Sequence, residues 1–234
     1  MGLPKLEHPT FELEVPSTKE VVKYRPFLVK EEKILLIAQQ SGEPKDFISA
    51  IQQVLNNCMI NYDCTNATNF DTEYMFLKLR ANSVSDLAKI MVVDEETDED
   101  VEVEVDLNEI EVKMPEEVNN LVNLNDEVSV ELRWPRYTDI LKMQDLENDD
   151  ATTDLVAMCI DRVYNGEEVL DMKDFTKEEQ DEFINSFPAD AFMTIQEYFE
   201  NMPKVSQEIK YKIKTEEGKQ KTKKKLLEGI EDFF

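Results

Sequence analysis

The sequence predicts an α+β protein, and three observations carry that prediction. Stretches with the i, i+3, i+4, i+7 spacing of amphipathic helices crowd between Lys23 and Asn82 and return between Tyr137 and Asn201. Stretches of period two, cleanest in Val101-Glu102-Val103-Glu104-Val105, lie before, between and after them. Gly42, Pro135, Gly166 and Pro203 punctuate the chain between these stretches. The expected order is an N-terminal hairpin and helical block over residues 1–89 and a β-rich middle with an acidic hairpin over 90–135. A helical segment over 136–204 and a basic hairpin with its tail over 205–234 complete it.

Residues 1–9 hold two prolines and no pattern, which predicts an arm that orders against a neighbour. Thr10 to Val15 alternates Phe11, Leu13 and Val15 with Glu12 and Glu14, and Val21 to Tyr24 answers it across Pro16 to Lys19 as a β-hairpin. Pro26 keeps Arg25 extended and sets a helix start just beyond it. That helix places Phe27, Ile34, Leu35, Ile37 and Ala38 inside and Lys30, Glu31, Glu32 and Lys33 in water. Ser41-Gly42-Glu43 breaks the chain before a second helix, Pro44 to Asn57, with Phe47, Ile48, Ile51, Val54 and Leu55 on one face. Cys58 to Asn69 is a loop with a short strand at Met59 to Tyr62, and a third helix runs from an Asp71 N-cap to Ala81, burying Tyr74, Phe76, Leu77 and Leu79.

Ser83 to Lys89 extends helically before a strand over Ile90 to Val93, and the acidic loop Asp94 to Asp100 joins it to Val101–Val105. Leu107 to Ile110 is a turn; Glu111 to Met114 and Val128 to Leu132 are further strands, closed by Trp134-Pro135. Helical spacing then covers Tyr137 to Leu146, Thr152 to Tyr164, Lys177 to Phe187 and Ala189 to Asn201. Asn165-Gly166 ends the second, and Thr176 with Glu179 forms a capping box for the third. Ile209 to Lys214 alternates, Thr215 to Lys219 turns, and a second strand leads to Leu227-x-x-Ile230-Glu231, repeating the plan of Ile90 to Glu111. The first of these two hairpins is loaded with Asp and Glu and the second with Lys, so either they pair with each other or each faces a different neighbour.

Three stretches together resemble a known family: Lys23 to Ala38, Phe70 to Val84, and Leu227 to Phe234. They are similar, in the same order along the chain, to the baseplate hub proteins of T4-like contractile-tailed bacteriophages. The resemblance implies a non-enzymatic structural or assembly subunit of the tail baseplate hub, located in the virion and in host cytoplasm during assembly. Its partners would be other hub or tail proteins in a hetero-oligomer. The alternative is a transient chaperone of a hub or spike protein that leaves before the virion is complete.

Composition agrees with a protein-binding role. The 234 residues can bury a sizeable core, while 52 acidic against 26 basic side chains give −26, a field that repels nucleic acid and anionic lipid. No run approaches the roughly 18 apolar residues of a membrane span, and the N-terminus has no signal-peptide pattern, so the expectation is a soluble chain. Cys58, Cys64 and Cys159 read as free thiols. Cys58-x5-Cys64 lacks zinc-site spacing, and the loop from Asp94 has Glu99 and Val105 where a calcium loop needs Gly and Glu. His8 is the only histidine and no glycine cluster forms a phosphate loop, so no catalytic residue, metal or cofactor is assigned. Tyr24, Arg25, Phe27, Trp134, Arg136 and Tyr137 are the candidate partner interface, by type and by their place at two X-Pro corners; any one aromatic could equally be core. Phe233 and Phe234 join them, because an aromatic chain end needs an apolar slot on its own domain or on another subunit.

Overall fold

The computed structural model describes residue 4, residues 6–94, residue 97, and residues 99–143, 151–214 and 220–233. Strands β1 (Phe11–Glu14) and β2 (Val21–Tyr24) lead into helices α1 (Val29–Ser41) and α2 (Pro44–Cys58). Strand β3 (Met59–Ile60), helix α3 (Asn69–Ser83) and strands β4 (Leu87–Val93), β5 (Asp100–Asp106) and β6 (Glu111–Val112) follow. Then come β7 (Leu121–Asn123), β8 (Val128–Leu132), α4 (Tyr137–Met143), α5 (Ala151–Cys159), β9 (Ile160–Asn165) and β10 (Glu168–Asp171). Helices α6 (Lys177–Asn185) and α7 (Ala189–Glu200) and strands β11 (Val205–Lys214) and β12 (Gln220–Glu228) complete the order. The fold is α+β: among the described residues every strand pairing is antiparallel, in sheets ordered β1-β2-β3, β4-β5, β12-β11-β6 and β10-β9-β8-β7.

Contacts gather into two compact units, one of residues 1–64, 70–114 and 203–234, the other of residues 65–69 and 115–202. In the first, α3 contributes the large buried side chains Phe70, Met75, Phe76, Leu77 and Leu79, all nearly inaccessible to solvent. Its neighbour is a pair of hairpins packed face to face. Ile90, Val92, Val103 and Val105 of β4–β5 share one cluster with Ile209, Tyr211, Ile213 and Leu227 of β11–β12. The opposite-sign hairpins therefore do pair. Each ends in a 3-10 turn, Leu107–Glu109 and Ile230–Phe233, and Phe233 closes the cluster. In the second unit, Val122, Val130, Leu132 and Val163 of the four-stranded sheet meet Val156, Ile184, Ala191 and Ile195 of the helices.

Several expectations are corrected. Glu31 is buried, because its carboxylate is paired internally, whereas Ile37 is 69% exposed. α3 begins at Asn69, so Asp71 is no N-cap; its carboxylate accepts hydrogen bonds from the Ser17 N–H at 2.9 Å and the Ser17 hydroxyl. The segment before Ile90 is strand from Leu87, where pairing with β5 overrides helical propensity. Tyr164 is in no helix: α5 stops at Cys159, and Ile160 to Asn165 pairs with β8 and β10. Gly166, at φ 59°, occupies the first of two turn residues between β9 and β10, so Asn165-Gly166 is a hairpin signal and not a helix stop. β7 is a three-residue strand that the sequence did not announce, and β6 ends at Val112. The expected helix end at Leu146, Glu95, Glu96 and Asp98 of the acidic loop, the 215–219 turn, the start of the N-terminal arm and Phe234 lie outside the described residues.

Candidate functional site

The corner at Pro26 is built first. Arg25 follows the end of β2, with its backbone N–H on the Cys58 carbonyl at 3.1 Å. Its guanidinium reaches the Glu31 carboxylate and the Asn57 carbonyl at the end of α2, each at 2.9 Å. Glu31 also accepts from the Leu28 N–H at 2.9 Å, closing the first turn of α1, and from Lys30 at 3.2 Å. Burial alone would raise the Glu31 pKa, but the hydrogen bonds from Arg25, Leu28 and Lys30 outweigh it and hold the carboxyl at about 2. This clasp ties the end of β2, the start of α1 and the end of α2 into one piece.

The clasp supports an apolar groove of about 380 Å³ between α1, α2 and α3. Of its lining residues Ala38 and Phe76 are buried, Phe27, Leu35 and Phe47 are half-buried, and Leu36 and Val84 are 48% and 66% exposed. Glu32 and Glu43 are its exposed acidic members, and burial pushes the pKa of the Arg80 guanidinium in its wall down. Ile37 and Val29 extend the accessible apolar surface along α1. A groove with apolar walls and carboxylates beside it can hold an apolar side chain of another protein and favours a cation next to it. Among the described residues no three His, Cys, Asp or Glu side chains come together as a metal site. All three cysteines are free and buried.

A family model described as T4 bacteriophage base plate protein matches residues 8–234. The chain belongs to that family. Its role is structural, in the tail baseplate of the phage particle; the match is to base plate proteins as a class and not to the hub in particular. No curated protein and no solved structure matches.

In this base plate protein the residues singled out by sequence fall in different settings. Phe27 lines the groove, with its backbone N–H on the Ser83 hydroxyl at 3.0 Å. Tyr24 is buried, and its hydroxyl accepts from Asn82 at 2.8 Å; Arg25 forms the clasp. In the other unit Trp134, half-buried, stacks on Tyr198 with ring centroids 3.9 Å apart and planes 9° apart. Arg136 is half-buried beside it in sequence, its N–H bonded to Asp139 at 2.9 Å, and Tyr137 is buried. Phe233 fills a slot within its own unit. Sequence reasoning did not single out Leu36, Ile37 or Val84 as surface. The signal was present in Leu35-Leu36-Ile37-Ala38: at 100° per residue, four consecutive apolar positions cannot all face one side of a helix.

Proposed function

We propose that this chain is a structural or assembly subunit of the baseplate hub and that it acts by docking, without catalysis, through the groove around Phe27. The carrying observation is that Leu36 and Val84 stay exposed on an apolar groove, which exposed Ile37 and Val29 extend along α1. The partner is another tail or hub protein that presents an apolar side chain flanked by Lys or Arg. That chemistry suits Glu32 and Glu43 and the net charge of −26, which also disfavours nucleic acid and anionic membrane. Phe27 lines the docking groove itself, with Tyr24 and Arg25 holding the corner that shapes it; half-buried Trp134 and Arg136, together with Phe234, remain candidates for secondary contacts, whereas Tyr137 and Phe233 are buried.

The test is quantitative mass spectrometry of purified virions and of baseplate intermediates made with wild-type chain and with L36E. A fixed copy number in finished virions, lost with L36E while the variant stays folded, is the expected result. Presence in intermediates and absence from virions would make the chain a transient chaperone. Unchanged incorporation of L36E would remove the groove from the docking surface.

A further inference from the structure

The outer faces of the two packed hairpins are complementary. Along β4, Ala88, Ile90 and Val92 turn into the core, which leaves Leu87, Met91 and Val93 outward at 44%, 61% and 49% exposure. The register places Asp106 across from Leu87, Glu104 from Lys89, Glu102 from Met91 and Asp100 from Val93. This face is an aliphatic row beside a row of carboxylates, with Lys89 bonded to Glu102 at 2.9 Å. The outer face of β11–β12 carries an excess of lysine, Lys210, Lys212 and Lys224 against Glu208 and Glu228. Ile209, Tyr211 and Ile213 point inward, so Lys210 and Lys212 point out, and Lys210 lies directly across from Lys224. Like charges at facing positions destabilise an isolated sheet. The ion pair of Lys224 with Glu208 at 2.8 Å relieves this only in part.

We propose that the acidic face of the β4–β5 hairpin docks on the basic face of the β11–β12 hairpin of a second copy of this chain. Side chains on one face of a strand recur every two residues, about 6.7 Å. A carboxylate row on β5 and a lysine row on β11 therefore share one repeat and meet pair by pair. Leu226, 50% exposed on the basic face, supplies apolar contact for Leu87 and Met91. Because the two faces differ, the contact is head-to-tail and builds a ring or an open chain instead of a two-fold dimer. The charge of −26 opposes association at long range. At physiological salt that repulsion is screened beyond about 8 Å while charges in contact still attract. Association is therefore greatest at intermediate salt and falls on either side. The proposal is independent of the groove around Phe27.

Sedimentation velocity of the full chain over a concentration series, at salt from about 0.01 to 1 M, tests it. Wild type is expected to form species larger than a dimer at intermediate salt. E102K/E104K makes both faces basic and K210E/K212E makes both acidic, so each alone associates at least about tenfold more weakly. An equal mixture of the two restores assembly, because every face again meets its opposite. Circular dichroism melts check that both variants fold, and E104Q with K212Q, which remove charge without reversing it, repeat the test if either does not. Wild type monomeric at every salt, variants that associate as well as wild type, or a mixture that stays monomeric would each overturn the proposal.

Discussion

The Lys223 ammonium donates to the Asp94 carboxylate at 2.8 Å across 129 residues of chain, joining the basic hairpin to the acidic one. Asp94 is fully buried and Lys223 18% exposed, and the Tyr211 hydroxyl donates to the second Asp94 oxygen at 2.7 Å. A buried carboxylate in such a place is stable only while its partners are present. The pair therefore specifies which hairpin packs on which, in addition to the apolar surface they share.

Removing the cation alone should be costly. K223M leaves the buried Asp94 charge without its ammonium and is expected to lower stability by about 3 kcal/mol in urea unfolding. D94N/K223M, which removes both charges, should lose less than the sum of the single variants. Strict additivity would mean that the two side chains do not act as a pair.

The Arg25–Glu31 clasp should give an acid-sensitive contribution. The Glu31 pKa falls from 4.5 to about 2 on folding, so the stabilisation is fully present above about pH 4.5 and is lost as pH drops toward 2. The shift corresponds to about 3 kcal/mol. The difference in unfolding free energy between wild type and E31Q should shrink over that window. A difference independent of pH from 6 to about 2 would refute the assignment.

The thiols should be silent in the native chain. Burial raises Cys58 to about 11 and Cys64 and Cys159 to about 12, and none of the three is accessible. Since the thiolate is the reactive form, an aromatic disulfide reagent at mildly alkaline pH should modify none before unfolding and all three after it. Rapid labelling of any one in the folded chain would contradict this packing.

Trp134 is the only tryptophan, so its emission reports on the unit of residues 115–202. Replacing its stacking partner with Y198A should open a void, cost that unit about 3 kcal/mol, and shift the emission to the red. Emission unchanged from wild type would mean that Tyr198 does not shield the indole.

The helices with clear punctuation were legible in the sequence. Gly42 takes φ 72° where α1 ends, Pro44 opens α2, and Thr176 with Glu179 caps α6 through hydrogen bonds of 2.8 and 3.3 Å. The two long hairpins, β4–β5 and β11–β12, were legible apart from the start of β4 at Leu87, because alternation of apolar and charged residues is a local signal. The family resemblance was carried by residues inside these same elements. The helix read over Thr152 to Tyr164 failed because a short apolar run such as Ile160 to Val163 fits either structure until its neighbours are known, and here β8 claims it.

By itself the sequence determined the helix or strand character of most segments, where many of them stop, and the sign of charge each carries, since those depend on neighbours a few residues apart. Only the tertiary structure decided that Glu31 is buried and Ile37 exposed, that Asp94 meets Lys223, and that a groove opens beside Phe27. Each of these depends on groups brought together from distant parts of the chain, where a partner's charge or the lack of a covering surface overrides what a residue's own polarity prefers.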